Sequence, residues 1–233
     1  MNITIGKYRH VIEMHCLYRT SGIPKVTNGM PITEHGILGK GNFNTLYFDT
    51  PDFDLLSQGI SLRIAGRVDR KLQASISLRR AITSLEGFII WEGFFVTVLE
   101  TIGSLKSYNA LGIINLPQLC QNLLGFKIPR LRLVAECFQE REKMALHLSK
   151  DALLGFGYDA ACWTLPNQPN EREERYYVSF DKSLLPCNSS TIPHVARAAA
   201  MRSKPAIKYV DAKFGPLRKS RLKLSDFIEE VNL

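Results

Sequence analysis

The stretch Leu46-Tyr47-Phe48-Asp49-Thr50-Pro51-Asp52-Phe53-Asp54-Leu55-Leu56-Ser57-Gln58-Gly59-Ile60-Ser61-Leu62-Arg63 decides how the rest of this chain is read. It begins as a short aromatic strand, Leu46 to Phe48, and stops at Asp49-Thr50. Pro51 fits a first helical position, and Thr50 or Asp49 can cap the open amide groups beside it. Gly59 closes the turn, and Ile60 to Ile64 resumes as a strand with alternating faces. A strand, one helical turn and a second strand that delivers an arginine make a specific local device. The same residues also suit a plain tight connection between two strands.

Working outward, residues 8–18 read as a first strand, with Ile12, Met14, Cys16 and Tyr18 on one face and Val11, Glu13, His15 and Leu17 on the other. Residues 19–45, rich in Gly, Pro, Thr and Asn, read as a long loop. Within it Gly36 to Gly41 has the look of a phosphate loop, but Asn42-Phe43 stand where a Lys-Ser/Thr pair belongs. Leu72 to Arg79 alternates cleanly, with Arg79 on its polar face. Phe88 to Leu99 is a more apolar strand with one internal charge, Glu92, which must face water, pair with a base or hold a cation.

Between 104 and 124 the period changes. Leu105, Tyr108 and Leu111, then Leu116, Leu119 and Leu123, recur at helical spacing, with Pro117 dividing two helices and Gly125 as a stop. Arg130 to Phe138 returns to alternation: Leu131, Leu133, Ala135 and Cys137 form an apolar face, and Arg130, Arg132, Val134 and Glu136 a mostly charged one. Met144 to Asp151 and Glu174 to Asp181 read as further strands.

Composition narrows the function classes. The net charge of +8 over 233 residues favours anionic partners. No run approaches the ~20 apolar residues of a membrane span, and the N-terminus has no basic region followed by an apolar run. The reading is therefore a cytoplasmic protein. Five scattered cysteines have neither zinc-ligand nor redox spacing and read as reduced thiols.

From Ser189 the character shifts. Ile192 to Ser203 reads as an alanine-rich helix with Pro193 in its first turn, and Ser225 can cap a last helix, Asp226 to Val231. Between them Lys204, Lys208, Lys213, Arg218, Lys219, Arg221 and Lys223 face a single acid, Asp211. Such a segment can contact nucleic acid or an acidic protein partner, or be a solvated tail. Few aromatics accompany it, so a stacking platform for single strands is poorly supported.

At least seven antiparallel-style strands with one helical interruption argue for an α+β protein built on a large sheet or barrel. Their polar faces carry arginine and scattered carboxylates, which either meet bulk water or suit phosphate and a divalent metal.

Tyr47-Phe48-Asp49-Thr50-Pro51-Asp52, followed by Gly59 and Leu62-Arg63, resembles the CYTH domain family, the triphosphate tunnel enzymes. These include thiamine triphosphatases, inorganic triphosphatases, one class of adenylate cyclases and some RNA triphosphatases. The resemblance implies an antiparallel barrel (residues 1–188) around a polar tunnel, with flanking helices and a basic, partly helical extension (189–233). It implies a triphosphate-bearing small molecule or RNA end as ligand, and Mg2+ or Mn2+ as cofactor.

The resemblance extends over roughly residues 8–160. The family's opening Glu-x-Glu-x-Lys falls on Val11, Glu13 and His15, keeping one acid and replacing the lysine. Its Leu-Arg-x-Arg keeps Arg63 and has Ala65 in second place; Arg79 stands for a lysine, and a later Glu-x-Glu is Ile90-Trp91-Glu92. Arg130 and Arg132 match a basic strand, and Asp151 an acid at the end of the next; the final acidic strand falls on Gly157 to Ala161, without glutamates. By this resemblance Arg63, Arg79, Arg130 and Arg132 bind phosphate, Glu13, Glu92 and Asp151 bind metal, and Glu13 and His15 are the catalytic candidates. The thinned acids leave two readings: an enzyme that hydrolyses or cyclises its substrate, or an inactive phosphate-binding or scaffold protein.

Overall fold

The structure, a computed structural model, describes residues 5–22, 35–68, 74–98, 116–125, 128, 130–149, 152–185 and 188–231. Its strands are β1 (Ile5–Thr20), β2 (His35–Asp49), β3 (Ile60–Arg67), β4 (Ala74–Leu85), β5 (Phe88–Val98), β6 (Arg132–Ser149), β7 (Ala152–Leu165), β8 (Gln168–Ser183) and the short β9 (Arg218–Ser220). The helices are α1 (Asp54–Ser57), α2 (Leu116–Leu124), α3 (Ile192–Phe214) and α4 (Lys223–Val231).

Eight strands run in the order β5-β4-β3-β2-β6-β7-β8-β1, and β1 pairs with β5 to shut the barrel. Every pairing is antiparallel, and β9 adds to β1 beyond the end of β5. Of the large sheet or barrel that the strand pattern left open, this is the barrel, as the resemblance implied.

The outer wall is apolar where helices cover it. Leu46, Phe48, Leu62, Ile64, Ile76 and Leu78 pack with Leu116 and Cys120 of α2. Met14, Cys16, Phe156, Val178 and Phe180 pack with Ala196, Ala199, Ala206 and Val210 of α3. Each such large apolar side chain contributes roughly 1.5–3 kcal/mol on burial. With its apolar residues spent outside, alternation leaves the opposite residues of each strand, many of them polar, facing the barrel axis.

At one end the inside is apolar too. Leu224, Phe227 and Ile228 of α4 pack on Leu17, Tyr47, Trp163 and Tyr177, and the Trp163 and Phe227 rings stack at 4.7 Å. The described part of the extension, 189–231, is therefore folded against the barrel, α3 on its wall and α4 across one end.

The opening stretch forms β2, α1 and β3, and both expected caps, Asp49 and Thr50, are in place. The Asp49 carboxylate accepts hydrogen bonds from the N–H groups of Thr50, Leu55 and Leu56 at 2.7, 2.9 and 3.0 Å, and Thr50 Oγ1 accepts one from Asp54 N at 2.9 Å. The helix begins at Asp54 and not at Pro51. Phe53 takes φ 56, held there by packing against the α4 cluster, and Gly59 closes the turn at φ 70.

Several expected boundaries move. The loop expected over 19–45 contains the start of β2 at His35; Gly41 lies within that strand, where a Cβ would sit 2.7 Å from the Arg67 guanidinium. The strands expected at 130–138 and 144–151 are one continuous strand, β6. The charged run between them alternates sides of the wall and does not break it. Pro205 leaves α3 intact because it sits on the exposed face, where water can take the carbonyl its ring leaves unbonded. α2 starts with Pro117 in its first turn. The helix expected over 104–115 lies outside the described residues.

Candidate anion-binding tunnel

Two connected cavities occupy the barrel interior, of about 490 and 140 Å3, and both are lined by Arg63 and Arg141. Arg9 and Arg67 line the larger one, and Arg79, Lys143 and Lys223 the smaller. The linings together hold these seven basic side chains and two carboxylates, Glu13 and Asp181. They come from five barrel strands and from α4, which no local motif could bring together.

Arg63 reaches inward from β3 and donates from Nε to Ser77 Oγ at 3.0 Å. Arg79, opposite Gly93 in the β4–β5 register, lies with its guanidinium 5.0 Å from the Phe95 ring centre and 3.4 Å from the Glu13 carboxylate. Its buried Nε has no hydrogen-bond partner. Burial, and then the neighbouring Arg63 charge, lower its pKa to about 10, with Glu13 and Asp181 opposing. On β6, Arg141 donates to Asp159 and, at 3.1 Å, to Gln139 Oε1; Lys143 donates to Asp181 at 2.6 Å. From α4, Lys223 reaches Asp159 as well.

Asp159 is buried, and burial alone would raise its pKa; Arg141 and Lys223 more than offset this and hold it well below the usual carboxylate range. Lys223 is pushed down to about 8 by burial, against the attraction of Asp159. His15 is lowered to about 3, by burial first and then by Arg79, Lys223 and Arg63, with Asp181 opposing. It is a neutral imidazole at physiological pH, mainly because it is buried.

Glu13, His15, Arg63 and Arg79 are thus gathered in one chamber. Other expected site residues are not. Glu92, entered above as a metal ligand beside Glu13, lies on the other side of the barrel wall: the register sets it opposite Ile12, and it pairs with Arg80 and His10 at 2.5 and 3.1 Å. The Arg80 hydrogen bond lowers its pKa. Arg130 and Arg132 are exposed and line neither cavity; Arg132 donates to the Pro51 carbonyl at 3.1 Å. The alternation expected along β6 is broken by a register shift between Leu133 and Ala135: Leu131 and Leu133 pack with the outer cluster under α2, whereas Ala135 and Cys137 pack with the α4 cluster. Asp151 lies outside the described residues.

The lining residues the sequence reading missed are Arg9, Arg67, Arg141, Lys143, Asp181 and Lys223. For Arg141 and Lys143 a signal was present: their parity with Cys137 along an unbroken β6. For Lys223 there was none, since only the docking of α4 brings it inward.

No family model matches the chain, and no curated protein matches it in sequence. Solved structures do. HpAC1 from Hippeastrum, named for adenylyl cyclase and described as having a dominant triphosphatase activity, superposes with a TM-score of 0.55 at 14% identity over 94% of this chain and 96% of its own. The PH1819 protein from Pyrococcus horikoshii OT3 does so with 0.51 at 11% identity, over 93% and 99%. The fold is theirs. Beyond the fold, such low identity carries nothing across.

Proposed function

We propose that this protein binds a triphosphate-bearing ligand, a nucleotide, inorganic triphosphate or an RNA end, with the phosphate chain inside the barrel. The carrying observation is the excess of cations in the two connected cavities, together with the unpartnered, buried Nε of Arg79. A buried donor without a partner is costly, and an anionic oxygen is the acceptor such a donor suits best. Arg63 and Arg79 would grip the chain in the narrower cavity, and Arg9 and Arg67 would meet whatever the chain is attached to. The resemblance of residues 46–63 to the CYTH family supports this, as does the fold shared with HpAC1, itself described as a triphosphatase.

His15 lies in the narrower cavity with Arg63 and Arg79, and burial keeps its imidazole neutral. We assign it a hydrogen-bonding role toward the phosphate chain.

The test is calorimetric titration with inorganic triphosphate, pyrophosphate and orthophosphate. Affinity should rise with chain length, and Arg63→Ala or Arg79→Ala should each weaken triphosphate binding by about tenfold or more. Unchanged affinity in both variants would exclude the tunnel as the site.

A further inference from the structure

The divalent metal implied by the family resemblance does not fit the inward carboxylates that are described. Mg2+ and Mn2+ need carboxylate oxygens turned toward a common point, with room for water and phosphate between. Glu13 faces Arg79, Asp181 holds Lys143, and Asp159 holds both Arg141 and Lys223. Each of these acids is already engaged by a tunnel cation. Among the described residues no three His, Cys, Asp or Glu side chains are grouped as a metal site. His15, the neutral candidate ligand in the chamber, shares it with Arg63, Arg79, Arg141, Lys143 and Lys223, and the one acid with a strong influence on it, Asp181, is held by Lys143.

We infer that the tunnel takes its phosphate chain bare, with lysine and arginine supplying the neutralisation a divalent metal would otherwise supply. This rests on the binding function proposed above and adds how the charge is met. The acids then have a different task. Asp159 fixes Arg141 and Lys223 in place, and Asp181 fixes Lys143, so that long flexible cations are preorganised around the chain. The overall field stays positive because basic groups outnumber acids in the lining. Magnesium in solution then acts as a competitor, since it neutralises the free phosphate chain before it enters.

The experiment is titration of the full chain with inorganic triphosphate, once in excess EDTA and once with Mg2+. The expected result is an affinity in EDTA equal to or tighter than that in Mg2+. Binding about tenfold weaker in EDTA, equivalent to about 1.4 kcal/mol, overturns the inference and leaves the binding function standing. No binding in either buffer overturns both. Asp181→Asn, at a partly exposed position, separates the roles of the acids. Loss of the Lys143 anchor should weaken binding to the same extent in EDTA and in Mg2+; a metal-ligand role would weaken it in Mg2+ alone and overturn the inference. Titration with Mn2+ alone, followed by its electron paramagnetic resonance signal, should show no saturable site. A site that Glu13→Gln abolishes would overturn the inference directly.

Discussion

Two arginines project into the barrel, Arg175 fully buried and Arg79 half-buried, and their surroundings differ completely. Arg175, near α4, is saturated: it donates to Glu173 at 2.6 Å, to the Asp226 carboxylate at 3.2 Å and to the backbone carbonyls of Asp226 and Phe227, under the Phe227 ring. Tyr177 donates its hydroxyl to the same Asp226 carboxylate at 3.0 Å. Arg79, in the narrower cavity, has one long contact to Glu13, an aromatic face beside it and a buried Nε without a partner. The first arginine joins α4 to the barrel. The second is under-used by the protein itself. Satisfaction of donors, more than burial or charge, separates a structural arginine from one kept for a ligand.

The comparison breaks most visibly at Arg175. Arg175→Met should destabilise the fold by about 3 kcal/mol, because it leaves the buried Asp226 carboxylate with only the Tyr177 hydroxyl and the more distant Arg19. Chemical denaturation would measure this, and a small loss would show that α4 is held by its apolar contacts alone.

Arg79→Met should act in the opposite sense. We expect stability within about 1 kcal/mol of the parent, since few of its donors are satisfied, alongside the loss of triphosphate affinity. Denaturation and calorimetry on the same sample check both halves. A stability loss matching that of Arg175→Met, with affinity retained, would erase the distinction.

Acid titration sharpens the difference between the two ends. His15 has a folded pKa of about 3 against 6.5 unfolded, so between these values the unfolded chain binds the extra proton. Stability should therefore fall as the pH drops from about 6.5 toward 3. His15→Asn should flatten that part of the curve in denaturation at graded pH. Lys223 works at the other limit. Its pKa of about 8 lies below the ordinary 10.5, so stability gains as pH rises from about 8 toward 10.5. Triphosphate affinity should decline over the same rise as this cation is lost.

The smallest effects belong to Arg130→Ala and Arg132→Ala, which should change stability by no more than about 0.5 kcal/mol and leave triphosphate affinity within about twofold. A large loss of affinity at either would move the site off the tunnel.

Most of the strands and the turn at Asp49 to Gly59 were legible because each is a short-range pattern of alternation, capping or a glycine at positive φ, whereas β7, the first part of β2 and the order of the strands in the barrel were not. Faces were legible for β1, β3 and β4, where Glu13, Arg63 and Arg79 point inward opposite clear apolar partners. They were not on β6, because a register shift between Leu133 and Ala135 breaks the alternation and turns the residues before it toward α2 and those after it toward α4. A barrel apolar outside under its helices, and apolar inside only where α4 crosses, offers both answers within one strand. Glu92 shows the same limit. It was one isolated charge in an apolar strand, and only the pairing of Ile12 with Glu92 sets it on the outer wall.

The sequence by itself determined the strand-rich antiparallel architecture, the basic balance and the local device from Leu46 to Arg63. These depend on residues a few positions apart, whose geometry the backbone period dictates. Only the tertiary structure decided which cations share the tunnel, that the acids there are held by lysine and arginine, and that a lysine 160 residues beyond Arg63 joins them. Barrel closure and the docking of α4 set distances between residues far apart in the chain, and no local period encodes those distances.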